Sequence, residues 1–493
     1  TSMLKAFLDC ENLEITATDI PDLSALTSLQ QMFEGCSSLD SIPKAYLWNT
    51  GTVNNMHSLF KDNSVFNGNI STWNTGNVTS MFKMFNGATS FNQNIGNWNT
   101  GNVFSMFSMF NGASSFNQNL NSWNTGNVNN MYYMFNDATV FNGNISNWNI
   151  SKVIVTKAMF RNAPTFNQNI SFWNTSLVTD MSDMFSSAIS FNQNIGAWNT
   201  GNVNTMADMF FGAIAFNGNI GTWNTENVTN MNSMFQGTTA FNQNIGSWNT
   251  EKVFEMSSMF YGATAFNGNI GAWNTSIVTN MSRMFRNANN FNQNISLWNT
   301  SNVTDMTEMF LAANSFNQNI GNWTLNNNVI LSNMLNSSGL DCNNYSSTLI
   351  AWNNNPSTPN NRNLGASGRQ YGTNATTSRT NLDITKSWTI NGDAASGNIC
   401  SEDFITTWQL PIGVTSITIT PERVGGAVAY TWEQIPSGAS GSGSFAIGTG
   451  GVTISGLPDG GNIRLSLEPT NLKRFWITTA SNRPYLKRIE NWG

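Results

Sequence analysis

One apolar pattern returns every 25 residues along most of the chain. Trp holds the beat from Trp48 to Trp323, eleven steps without an insertion. Val keeps it from Val53 to Val303, the Phe of a Met-Phe pair from Phe60 to Phe310, and the Phe that opens FNQN or FNGN from Phe66 to Phe316. The unit from Trp73 to Ile95 reads WNTGNVTSMFKMFNGATSFNQNI. A strict period with one large apolar residue fixed in each slot predicts a solenoid, whose coils share one continuous core. The expected core slots are those of Trp73, Val78, Met81, Phe85, Phe91 and Trp98. Val78, Met81 and Phe85 fall at i, i+3 and i+7, which predicts a helical face about two turns long with Met84 on it. Phe91 to Ile95 reads as a short extended piece, and the small residues before it as a bend.

Asn92 and Asn94 recur in almost every unit. Stacked carboxamides form ladders that satisfy backbone groups at each corner, and a metal or glycan site is the alternative use of the same residues. Sequons such as Asn77, Asn174 and Asn227 follow from the repeat itself. At about 4.8 Å per stacked strand, some thirteen coils give a rod on the order of 60 Å.

The ends differ. In residues 1–47, Met3-x3-Phe7-x2-Cys10-x2-Leu13 returns as Leu29-x3-Phe33-x2-Cys36-x2-Leu39, so these are divergent opening coils. Residues 48–335 are the regular array. Past Trp323 the beat slips, and 336–400, with Trp352, Leu382 and Trp388, reads as a C-terminal cap for the open face of the solenoid. Residues 401–450 contain no Asn. From Phe404 onward, β-branched and aromatic runs alternate with Gly, Pro and Ser turns, the pattern of a β-sandwich over 401–493. The closing run Leu486–Gly493 resembles the end of a coil, and Thr1–Phe7 the piece that follows one. Joined head to tail they would make one coil. The expectation is therefore one unit of a tandem array.

Composition narrows the functions. The 493 residues carry 21 Lys plus Arg, 27 Asp plus Glu and a net charge of −6, with only 10% charged residues. Asn, 82 in all, supplies much of the polarity. No basic field exists to hold a phosphate backbone, which excludes nucleic acid as a partner. His57 is the sole histidine, so histidine triads and histidine-rich metal sites are excluded. No apolar run of the length that spans a membrane occurs. Cys342 and Cys400 bracket the cap, and a bridge between them suits an oxidising compartment. Four buried thiols are the other reading.

The repeat resembles the BspA-like leucine-rich-repeat surface proteins in their 25-residue variant with WNTSNVTNMSSMF-type units. The likeness covers about residues 48–335 through the Trp, Val, Met, Met-Phe and FNQNI slots, and Phe33-Glu34-Gly35-Cys36 is similar to that family's GC-containing coils. The resemblance implies a leucine-rich-repeat-like solenoid of short strands and helical turns. It also implies a secreted, extracellular cell-surface protein of the kind found in large Bacteroidota adhesins, used for adhesion or as a stalk. The C-terminal module resembles their PKD-like or immunoglobulin-like β-sandwiches, with Tyr430-Thr431-Trp432-Glu433-Gln434 where a PKD domain carries its WDFGDG-type turn. The family offers no catalytic residue to transfer.

The residues themselves point away from an enzyme, a cofactor or a metal. Asp180 with Asp183, and Glu251 with Glu255, lie on variable faces, where solvation is the ordinary explanation. The Gly-rich stretch Gly438–Gly451 reads as hairpin turns, and a Ca²⁺ on a loop of the β-domain is left open. A ligand-binding stripe is the better candidate. Phe82, Phe107 and Tyr132 occupy one variable slot in three consecutive units, with Phe104 and Tyr133 close by, and Phe211 and Tyr261 form a sparser pair. Such aromatics hold a glycan or a partner protein, or else fold over the core. The expected function is a structural or adhesive surface module joined head to tail to further units of the same protein, with ligand recognition through the stripe as the alternative.

Overall fold

The computed structural model describes residues 2–397, 400, 404–423, 427–435, 439–445, 451–468, 472–477 and 482–492. The chain divides into two units, Thr1–Arg369 with Ser378–Ala394, and Gln370–Thr377 with Ala395–Gly493.

The first unit is a stack of 25-residue layers. Its spine is a row of single parallel bridges, one per layer, from Ser2–Ser28 through Ser80–Ser105 to Asp305–Ile330. Beside each bridge the backbone alternates its allegiance. The N–H groups of Met81, Lys83, Phe85 and Gly87 donate to the carbonyls of Ser105, Phe107, Met109 and Asn111 in the next layer. Those of Met84, Asn86 and Ala88 close turns on Met81, Lys83 and Phe85. The expected helical face is absent. Between Trp48 and Asp341 no residue is helical. The i, i+3, i+7 spacing arises instead from successive turns, because the adjacent layer captures every second N–H that a helix would keep for itself. Left-handed residues at Lys83 (φ 54°) and Gly87 (φ 72°) end any right-handed run.

The inward side chains form continuous columns. Phe7, Phe33 and Phe60 begin one that runs to Phe310, with ring centroids 5.4–5.8 Å apart and planes within 9°. The Phe66–Phe316 column lies against it, with Phe85 and Phe91 centred 3.9 Å apart. Trp123 to Trp273 stack at 6.2–6.4 Å and within 4°. Trp73, Val78, Met81, Phe85, Phe91 and Trp98 are all buried. Most of the indoles also have a polar duty, Trp173 being an exception. Trp98 Nε1 donates to Ile70 O, and Trp198 Nε1 to Ile170 O.

The recurrent amides are fasteners. Asn67 Oδ1 accepts the Asn92 N–H, Asn92 that of Asn117, and the chain of bonds continues to Asn317 and Asp341. Asn94 Oδ1 accepts the N–H of Gly96 two residues on. Thr75 Oγ1 donates to Asn99 O. Phe91–Ile95, expected as an extended piece, carries no strand, and side chains hold its register.

Asp341 ends the Asn series and caps helix α1, Cys342–Asn354, by accepting the Asn344 N–H. Tyr345, Leu349 and Trp352 of α1 are buried, and the Trp352 ring meets Trp388 at 5.9 Å. The bridge row passes from Leu331 to Leu364 in β1 (Asn363–Gly365), which pairs in parallel with β3 (Thr389–Asn391). The chain also forms short strands β2 (Gln370–Tyr371) and β4 (Ala394–Ala395) and helix α2 (Thr376–Ile384). Cys342 and Cys400 are disulfide-bonded.

The second unit is strand-rich. β5 (Phe404–Leu410), β7 (Val428–Ile435), β8 (Ser440–Phe445), β10 (Gly461–Leu467) and β12 (Leu486–Trp492) form one sheet in the order β12-β5-β10-β7-β8. β6 (Ser416–Arg423), β9 (Val452–Ser455) and β11 (Leu472–Trp476) form another, ordered β11-β6-β9. All pairings are antiparallel. Trp408, Trp432, Ile463 and Leu465 from the first sheet share a buried cluster with Ile417, Ile419 and Ile454 from the second. The segment expected to end a repeat layer is strand β12, whose Leu486 sits opposite Trp408 on β5. The expected Gly493–Thr1 joint lies outside the described residues. Of the Gly438–Gly451 stretch, Gly438 and residues 446–450 also lie outside them, and its middle is β8.

Candidate functional site

Beside the bridge row, two neighbouring slots recur in every layer, that of Phe82 and the left-handed one of Lys83, the latter buried where it holds Ser58, Ser108 or Ala158. The first slot stacks as a half-buried column of rings. His57 meets Phe82 at 4.5 Å, Phe82 lies on Phe107 at 4.6 Å and 5°, and Tyr132 turns edge-on to Phe107 at 5.2 Å and 69°. Tyr133 joins Tyr132 at 4.1 Å. Lys83 Nζ caps the pair from 5.3 and 5.7 Å.

The structure therefore brings Phe82, Phe107, Tyr132 and Tyr133 together. Phe104 stands apart, 50% exposed, and among the described residues it makes no ring contact with them. Phe82 and Phe107 spend their faces on each other and turn edges outward, so no open ring face is left between them for a sugar to stack on. Phe211 and Tyr261 form no pair. Tyr261 instead carries the Arg286 guanidinium at 5.1 Å, and Arg286 and Arg283 both bind Glu308.

The column continues into charge. Lys157 follows Tyr132 in the same slot, and Asp183 and Asp208 stack in the slot of Lys83 and Tyr133, both left-handed at φ 58° and 56°. Burial pushes the Asp183 carboxyl up, against the pull of Arg161 and Lys157. Burial, and then the neighbouring Asp183, do the same to Asp208. Tyr132 is pushed up to about 12 by burial, by Tyr133 and by Asp180 and Asp183. Burial holds His57 below its ordinary value.

Asp180 is occupied locally, its Oδ1 accepting the N–H and Oγ–H of Ser182. Glu255 Oε1 caps Ser257 N in the same manner, while Glu251 is exposed. The sequence reading paired Asp180 with Asp183 and missed the Asp183–Asp208 stack. The signal was available, because 183 and 208 are one period apart. Among the described residues, no three His, Cys, Asp or Glu side chains are arranged to hold a metal ion. No described helix is long and apolar enough to cross a membrane.

Hollows lie elsewhere too. One of about 230 Å³ in the opening layers is lined by Met3, Phe7, Ile15, Met32, Phe33 and Trp48 among others. Another of about 440 Å³ on the second unit presents Thr431, Ser440, Ser442 and Ser466 beside the Arg464–Glu433 ion pair.

No curated protein matches the chain. One family model does, in four overlapping stretches, 1–111, 69–172, 157–253 and 239–352. Each stretch takes in about four of the 25-residue layers, and together they span the whole repeat array and the start of its cap, more than half of the 493 residues. The chain thus belongs to the repeat family described as "Mycoplasma protein of unknown function, DUF285".

Proposed function

We propose that the chain is a structural and adhesive module of a secreted cell-surface protein, one unit of a tandem array that forms a stalk or filament. The observation that carries this reading is the commitment of the repeated polar groups. The recurrent Asn, Thr and Trp side chains hold one layer to the next, so what the repeat spells out is a stack rather than a reaction. The repeat family to which the chain belongs fits such a module. On this reading the array is a solenoid related to BspA-like leucine-rich repeats, with turns in place of the helical segments, and the two-sheet unit is a β-sandwich of the PKD-like or immunoglobulin-like kind. An extracellular setting accords with the disulfide-bonded Cys342 and Cys400.

The test is electron microscopy of the protein from its source. A fibre with an axial repeat of one chain supports the stalk. Isolated particles of one chain overturn the tandem reading.

Ligand recognition is the second reading, favoured by the Phe82–Tyr133 cluster running into Lys157, Asp183 and Asp208 on one surface. Alanine at Phe82, Phe107 and Tyr132 together separates the two. Lost binding to glycans or partner proteins, with the fold intact, supports recognition, whereas unchanged adhesion leaves the stalk.

A further inference from the structure

Cys10 and Cys36 hold the same slot in the first two layers, three residues after Phe7 and Phe33. From Ala88 to Ala313 that slot is Ala in every layer except that of Thr238. The two backbones are zipped on both sides of the cysteines. Phe7 N–H donates to Met32 O (3.0 Å) and Asp9 N–H to Glu34 O (2.8 Å) before them, and Ser38 N–H to Glu11 O (3.0 Å) after them. The Phe7 and Phe33 rings stack at 5.5 Å and 6°. A disulfide needs its Cα atoms about 4.4–6.8 Å apart, and backbones hydrogen-bonded side by side lie about 4.7–4.9 Å apart. The Cys36 Sγ–H donates to Phe7 O at 3.0 Å, and the same carbonyl accepts the Cys10 N–H at 3.1 Å. The buried thiol therefore already lies against the Cys10 backbone. Both residues are free thiols in this structure.

We propose that Cys10 and Cys36 are an oxidation site, at which a small-molecule disulfide cross-links the first layer of the stack to the second. Cys10 is exposed and Cys36 buried, which sets the order of events. Cys10 sulfur attacks the small disulfide and expels one thiol, leaving a mixed disulfide. Cys36 sulfur, giving up its proton, attacks the Cys10 sulfur and expels the second thiol. Two protein thiols lose two electrons and two protons, and the small disulfide is reduced to two thiols. Burial pushes the Cys36 thiol up to about 11, so it stays protonated at neutral pH and Cys10 is the point of entry.

The first layer bonds the second through Met3, Lys5, Phe7 and Asp9, and it leaves Leu4, Lys5 and Ala6 exposed.

The experiment exposes the full chain to oxidised glutathione, followed by thiol titration, non-reducing peptide mapping and amide hydrogen exchange. Expected are the loss of both free thiols, a peptide pair joined through Cys10 and Cys36, and exchange of residues 3–13 slowed by at least about tenfold. Cys10→Ser, at an exposed position, abolishes the joined peptide and the slowing. The proposal is overturned if glutathione remains on Cys10 with Cys36 still a thiol. It is equally overturned if the new bond joins Cys10 or Cys36 to Cys342 or Cys400.

Discussion

Trp198 offers the sharpest measure of what holds the layers together. It is 3% exposed, stacks on Trp173 at 6.3 Å and Trp223 at 6.4 Å, and touches Phe185 at 6.1 Å. Its Nε1 donates to Ile170 O at 3.1 Å. Trp173 has nearly the same surroundings, with Trp148 at 6.4 Å, Trp198 at 6.3 Å and Phe160 at 6.3 Å. Its Nε1, however, is buried without a partner. Trp198→Ala removes the ring and its stacking and should cost about 3–5 kcal/mol. Replacing either Trp by Phe removes the same ring area, but only at Trp198 does it also delete a buried hydrogen bond, leaving Ile170 O with the Trp173 N–H alone. Trp198→Phe should therefore cost about 0.5–1.5 kcal/mol more than Trp173→Phe. Native-state hydrogen exchange over the adjoining layers is the assay, because a stack of this length need not unfold in one step. Equal costs for the two Phe variants would refute the assignment of that energy to the indole hydrogen bond.

Three further outcomes are expected. Asn192→Ala deletes the acceptor of the Asn217 N–H and should cost about 1 kcal/mol in local exchange stability, whereas Asn192→Asp keeps the acceptor and should cost less. Ala312 sits at φ 57° in the slot that Gly212, Gly237 and Gly262 fill elsewhere. Ala312→Gly should therefore raise stability by up to about 1 kcal/mol, contrary to the usual effect of adding glycine. Burial raises the Asp183 and Asp208 carboxyls in the folded chain, so between their unfolded and folded values the folded state binds more protons. Stability should fall as pH rises through that window, and Asp183→Asn should flatten the fall in a pH series of melting midpoints.

The layer architecture was legible because a single period governs it. Trp73, Val78, Phe85 and Phe91 declare their burial through repetition alone. The helical turns were misread because an i, i+3, i+7 spacing records which side chains face inward, not where the N–H groups go. Met81 and Phe85 send theirs to Ser105 and Met109, a choice that depends on a neighbour 25 residues away. The aromatic stripe was visible as a slot, but only geometry shows Phe82 and Phe107 turned face to face and Phe104 left out. Asp183 and Asp208 were overlooked because they were compared with residues nearby in the chain rather than one layer on.

The column of indoles from Trp123 to Trp273 has an optical consequence. Seven identical chromophores lie 6.2–6.4 Å apart with planes within 4°. Light absorbed by one does not stay there, because excitation passes between like rings at such short range faster than it is emitted. Such parallel planes preserve much of the polarisation as the excitation travels. The whole column should therefore behave as one antenna. A single quencher placed at its end would dim rings several layers away, and the reach of that dimming would count the layers that remain in register.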